Sequence, residues 1–281
     1  MTAVARPRPA AAGGGLRQAL RDASIVMWRN LKRIPRIPEL AIFAVLQSVM
    51  FVLLFAFVFG GAIPIAGGNY REYLMPGIFA QTIVFATVTV AIGMADDMTK
   101  GIIDRFRSLP MARSAVLTGR TFSEVIYQSG ILIVLMLSGL AVGWGVHTGP
   151  VEFLAGVALL LLFAFAMAWL GVWVGLSVPS VEVAQQVGFT VLFPITFVSN
   201  VFVPVQSLPD FLRPVAEWNP VSTLTAAVRH FWGNPTAIDP RLPPPTGFPA
   251  EQPALLTLVW IAIILAVFIP LGVRRYRSVS R

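Results

Sequence analysis

Six runs of the chain carry no Asp, Glu, Lys or Arg: residues 40–70, 73–95, 125–151, 153–181, 183–209 and 252–273. Each is at least 22 residues long, and a helix needs about 20 mostly apolar residues to cross the hydrocarbon core of a bilayer. The pattern predicts an all-α integral membrane protein whose six transmembrane helices occupy residues 38–281. One such run could serve as the core helix of a soluble domain, but a soluble chain of 281 residues has no interior large enough for six.

Upstream of the first run, Leu16, Leu20, Ala23, Met27, Leu31 and Ile34 recur at steps of three and four, interleaved with Arg17, Arg21, Arg29 and Lys32. This spacing predicts an amphipathic helix over 16–37 lying in the membrane interface, with Trp28 at headgroup level. Pro35 and Pro38 then turn the chain into the bilayer. Residues 1–15, built from Ala, Gly, Pro and Arg without the apolar core of a secretory signal, read as a disordered tail.

The connection between the second and third runs predicts a short helix at about 100–110. Ile102, Ile103, Phe106 and Leu109 fall on one face, Asp104, Arg105 and Arg107 fall elsewhere, and Pro110 stops it. A helix this short is marginal alone, so its apolar stripe needs a groove, formed either by the protein's own helix ends or by a separate cytoplasmic subunit. The third span looks overlong. Residues 114–145 contain no proline and would reach about 48 Å as a helix, against roughly 30 Å of hydrocarbon. The overhang places Arg120 and Glu124 near the inner boundary, where their i, i+4 spacing predicts a structural ion pair. In the fifth run, Pro194, Thr196, Ser199 and Asn200 precede Phe202-Val203-Pro204. Irregular backbone at membrane depth is tolerated where protein buries it or where it lines a cavity. Across 205–235, Phe211, Leu212, Val215 and Trp218, then Leu224, Val228, Phe231 and Trp232, suggest short external interfacial or re-entrant helices, followed by a proline-rich loop.

Composition agrees with this reading: 56% of residues are hydrophobic, 12% are charged and the mean hydropathy is +0.76. Of 21 Lys and Arg, eight precede the first span, five lie between spans two and three and four follow the last. Cytoplasmic flanks retain basic residues, so both termini are predicted to be cytoplasmic. The net charge of +8 then suits anionic lipid headgroups and gives no reason to invoke a nucleic acid. There is no cysteine, hence neither disulfide nor thiolate site. Neither Lys32 nor Lys100 follows a glycine, so the chain lacks the loop that would hold ATP phosphates. His147 and His230 have no metal-ligand spacing. Gly175-Leu176-Ser177-Val178 lacks the glycine that a serine-nucleophile turn needs after its serine. The residues thus point away from an enzyme and toward transport. A secondary transporter or channel driven by an ion gradient is the alternative, for which mid-membrane acids and internal repeats would be expected.

Three blocks carry a resemblance. Residues 101–113 with Gly119-Arg120, Ser199-Asn200-Val201-Phe202-Val203-Pro204 with Leu208-Pro209, and Glu217-Trp218-Asn219-Pro220-Val221-Ser222 with Arg229 together resemble the ABC-2 type permeases, particularly the daunorubicin-resistance (DrrB-like) branch. The resemblance implies the ABC-2 permease fold in a bacterial plasma membrane. It further implies a transmembrane subunit of an ATP-binding-cassette exporter moving a hydrophobic or amphiphilic drug or lipid-like molecule. Expected partners are cytoplasmic ABC ATPase subunits, a second permease copy or a sister permease, and membrane lipids. ATP and Mg would belong to the ATPase, with no cofactor in this chain. On this basis Gly101, Ile102, Ile103, Asp104, Arg105, Phe106, Arg107, Leu109 and Pro110 form an ATPase-coupling helix, with the 177–182 turn as a second contact. Gln81, Thr82, Thr196, Ser199 and Asn200 become candidates for the substrate path between spans two and five.

Overall fold

The computed structural model describes residues 16–33, 38–59, 70–107, 113–236 and 247–278. Among them there is no strand. The helices are α1 (Leu16–Arg33), α2 (Pro38–Leu54, continued by a π turn over Phe55–Phe59), α3 (Tyr70–Thr99), α4 (Ile102–Arg107), α5 (Arg113–Ala141), α6 (Pro150–Ser177), α7 (Val181–Phe197), α8 (Arg213–Glu217), α9 (Pro220–Trp232), α10 (Phe248–Glu251) and α11 (Pro253–Ser278). The tail over 1–15 and the turn at Pro35 lie outside the described residues.

Among the described residues, four helices are long and apolar enough to cross a bilayer: Tyr70–Thr99, Val116–Ala141, Pro150–Ser177 and Pro253–Ser278. The first and fifth predicted spans form shorter helices, α2 and α7, of 17 residues each. The third ends sooner than its sequence suggested, at Ala141 instead of Gly145. Gly143 takes a left-handed φ of +93°, and the amides of Val142 and Gly143 bond back onto carbonyls of the last turn. That conformation is open to glycine at little cost and closes a helix C-terminus.

Helix α3 is the axis of the bundle. It packs on α6, α7 and α9, and most of its residues are buried. Its approach to α6 is backbone to backbone: a Cβ on Gly171 would lie 2.6 Å from the Thr87 carbonyl oxygen, and one on Gly175 would collide with the Ala91 carbonyl. Small residues permit such closeness, and in lipid van der Waals contact replaces the hydrophobic drive that joins helices in water. Helix α11 covers α6, and α1 lies along α5.

Helix α1 covers 16–33 of the stretch expected to be amphipathic, and part of its apolar side faces protein. Ala23 and Val26 are buried, the Ala23 carbonyl and Val26 side chain occupy the space over Gly119 of α5, and Asn30 Nδ2 donates to Ser123 Oγ at 3.3 Å. Ile25 and Trp28 stay exposed, and Lys32 Nζ sits 5.4 Å from the Trp28 ring centre.

Two packed layers define the two ends of the bundle. At one end, Met94, Ile103, Val116, Leu117, Trp169, Leu176 and Tyr276 form a single cluster, which gathers α4 with the ends of α3, α5, α6 and α11. The arginines after α11 belong to this end, since Arg275 Nε donates to the Leu176 carbonyl at 3.1 Å. At the other end Trp232 of α9 lies among Phe79, Trp144 and Phe153, with ring centres 5.7, 5.3 and 6.0 Å away. Its Nε1 donates to the Phe153 carbonyl.

Candidate functional site

At the basic end α3 runs into α4 through a turn of two residues. Asp96 accepts from Lys100 Nζ at 2.7 Å, and Gly101 adopts a φ of +66°, which redirects the chain. Ile103 is buried in the cluster beneath α4, Ile102 is half-buried and Arg105 is exposed. The side chains of Asp104, Phe106 and Arg107, and the whole of Leu109 and Pro110, lie outside the described residues. One turn before α4, Asp97 Oδ2 accepts from Arg120 Nη1 at 3.0 Å, with side chains only 9% and 15% exposed. The guanidinium occupies the space over Gly93, where any Cβ would collide with it.

This pairing corrects the expected Arg120–Glu124 ion pair. Arg120 reaches across to α3, and a base placed four residues before an acid is the less favourable order for an i, i+4 pair. Glu124 instead accepts from Gln128 Nε2 at 2.9 Å. Ser123 Oγ donates to the Arg120 carbonyl and accepts from Asn30, so α3, α5 and α1 form one polar latch directly above α4.

At the far end α7 stops at Phe197 and the chain crosses 198–204 without regular structure, although Ser199, Val201 and Phe202 are buried. Carbonyls in such a stretch need donors, and α3 and α9 provide them. Arg229 is 1% exposed. Its Nε donates to the Tyr73 carbonyl at 2.9 Å, and Nη2 donates to the carbonyls of Asn200 and Val201 at 3.0 and 3.3 Å. The guanidinium lies over the Tyr73 ring, 3.5 Å from its centre. Tyr73 Oη donates to the Asn200 carbonyl at 2.9 Å, and Tyr70 Oη to that of Phe202 at 3.2 Å. Asn219, which caps α9, donates to the carbonyls of Ile195 and Val198, each at 2.7 Å. No carboxylate pairs with Arg229 among the described residues; backbone dipoles and an aromatic face hold the charge.

A family comparison decides what this bundle is. The model described as ABC-2 type transporter matches residues 21–231. The chain belongs to that family. Among curated relatives, the daunorubicin resistance ABC transporter permease protein DrrB1 of Streptomyces coeruleorubidus is 28% identical over 90% of this chain and 84% of its own length. The probable doxorubicin resistance ABC transporter permease protein DrrC of Mycobacterium tuberculosis is 24% identical over 83% and 80%. The putative transport permease ycf38 of Cyanophora paradoxa is 20% identical over 76% and 75%. The protein is thus a multi-pass ABC-2 permease of a bacterial plasma membrane, a transport subunit.

Within the permease, the residues singled out for a substrate path do not share one surface. Thr82 and Thr196 turn their hydroxyls onto carbonyls of their own helices, Ile78 and Leu192, at 2.8 Å each. Ser199 Oγ donates to the Thr196 carbonyl. Gln81 is buried in α3 with Oε1 unpartnered. Of the five, Asn200 lines a cavity of about 300 Å³ beside α9 that also includes Tyr73, Gln206, Glu217, Ser222 and Arg229. Arg229 and Asp97 were missed as site residues. The signal for Arg229 was present, since a single arginine inside an apolar helical stretch calls for a named partner.

Proposed function

We propose that this permease is the six-span transmembrane subunit of an ATP-binding-cassette exporter, with both termini in the cytoplasm. Cytoplasmic ABC ATPase subunits, which bring ATP and Mg, drive it, and a second copy or a sister permease completes it. Its cargo is a hydrophobic or amphiphilic drug or lipid-like molecule leaving the cytoplasm or inner leaflet. The resistance names of its relatives and a bundle in which buried apolar side chains outnumber buried polar ones support that cargo class.

The observation that carries the reading is the placement of α4. It hangs from the end of α3 beside the arginine-rich helix ends, and the Asp97–Arg120 latch ties its root to α5 and α1. An ATPase that grips residues 101–110 therefore moves three helices together. Helix α3 is 30 residues long, about 45 Å, and at its other end Tyr70, Tyr73 and Arg229 bind the broken end of α7. Helix α3 thus links α4 to the 198–204 stretch. Gln81, Thr82, Thr196, Ser199 and Asn200 lie on α3 and α7 or just beyond, the two elements that this motion displaces. The exposed apolar side of α7, including Val187, Val191, Phe193 and Phe197, is free for lipid or for the companion permease.

The test is co-purification followed by transport. Tagged permease is expected to carry an ABC ATPase near stoichiometry, and Ile102→Asp with Arg105→Glu is expected to abolish both the association and ATP-dependent export while leaving the permease folded. Full export by that variant with its ATPase still bound would remove α4 from the mechanism. Transport in proteoliposomes driven by a proton gradient without ATP would establish the secondary-transporter alternative.

A further inference from the structure

The cavity beside α9 is built for more than support of the broken helix. Its lining includes a guanidinium, Arg229, and a carboxylate, Glu217, together with the amide of Gln206, the imidazole of His230 and the hydroxyls of Ser222 and Thr223. Arg229 spends Nε and Nη2 on three carbonyls. Asn200, which also lines the cavity, donates through Nδ2 to the Ser222 carbonyl, yet its Oδ1 is buried without a partner. A buried acceptor of this kind favours an occupant that satisfies it. Apolar faces supply the rest: Pro204, Val205, Pro249, Ala250 and Pro253.

We propose that this cavity is a binding site for the neutral, hydroxyl-bearing headgroup of an amphiphile, of the size of a single sugar ring. A hydroxyl both donates and accepts, so one ring can serve Asn200 Oδ1, Glu217 and Arg229 together while its C–H faces meet the proline rings. An anion would gain Arg229 but meet Glu217, and a cation the reverse, so opposed charges on one wall select against either. At about 300 Å³ the volume lies at the small end of small-molecule sites, which fits a headgroup and excludes a whole amphiphile, whose tail stays in the membrane. The inference deepens the export reading by giving cargo a holding point on the outward side. Its test uses no ATPase and no transport, so either reading can fail alone.

The chain has no cysteine, which makes a single introduced thiol a clean reporter. Ala226 lines the cavity and is half-buried, and His230 lines it and is exposed; the Ala226→Cys permease in proteoliposomes, with His230→Cys as a second variant, is treated from outside with a membrane-impermeant maleimide. Octyl glucoside below its micellar concentration is expected to slow modification at least about fivefold, while octanol, octyl phosphate and octyltrimethylammonium leave the rate unchanged. Glu217→Gln and Asn200→Ala in the same background are each expected to weaken the protection. Equal protection by octanol would mean partition into an apolar surface, and stronger protection by octyl phosphate would mean an anion site; either overturns the proposal. So does failure of both thiols to react from outside.

Discussion

The latch between Asp97 and Arg120 is open to a quantitative test. Exposed ion pairs contribute about 0–1 kcal/mol, whereas removing one partner of a buried pair costs about 3–5 kcal/mol because the other charge is stranded. With side chains 9% and 15% exposed at the edge of the bundle, the pair falls between these limits. Asp97→Ala and Arg120→Ala are each expected to cost about 2–3 kcal/mol. The double variant strands nothing, so its cost should fall short of the sum of the two by about 2 kcal/mol, the signature of coupled neighbours. Thermal unfolding of the purified permease in lipid nanodiscs, followed by tryptophan emission at one scan rate, should place the single variants roughly 5–10 °C below the parent and the double variant above the sum of those losses. Gly93→Ala, whose methyl would displace the guanidinium, is expected to resemble Asp97→Ala. Export should fall in all four, because the double variant recovers stability without recovering the tie between helices. Additive losses would show that the two groups do not interact in the membrane; normal export by the double variant would show that the latch transmits nothing.

Arg229→Lys keeps the charge but cannot span the carbonyls of residues 73, 200 and 201 at once; a loss of about 2–4 kcal/mol is expected, read as a lower unfolding midpoint and faster proteolysis across 198–204. Gly175→Ala puts a methyl against the Ala91 carbonyl and Met94 and should cost about 1–3 kcal/mol by forcing α6 from α3, while Gly130→Ala, with nothing within 4 Å, should change the midpoint little. Gly101→Ala meets no neighbour but must hold a φ of +66°, so a cost of about 1 kcal/mol should appear as altered hydrogen exchange at α4 with the bundle core unchanged.

Much of the fold was legible because lipid simplifies the code. A run without charge must be a helix when it crosses hydrocarbon, and the four long spans follow from that rule; the short α4 followed from its apolar stripe, while the stop at Gly143 went unread. What escaped was lateral. The i, i+4 rule described Arg120 as a surface residue of a lone helix, so it chose Glu124 and overlooked a partner on α3. Thr82, Thr196 and Ser199 read as lining residues because they are polar in apolar runs, yet in a dry setting a hydroxyl bonds the carbonyl a turn back on its own helix. Arg229 stood in the open as a charge within an apolar stretch. Its acceptors are backbone oxygens, which no side-chain pattern announces.

Those oxygens carry a consequence for how such a protein can change. Any amino acid at 200 or 201 presents the same main-chain carbonyl to Arg229, so the anchor tolerates exchange on that side of the contact while its guanidinium, and the Tyr73 ring beneath it, have no equivalent. The Asn200 side chain can therefore change without removing the carbonyl that the strut grips, so the cavity lining beside α9 can diverge while the support of the 198–204 stretch is kept.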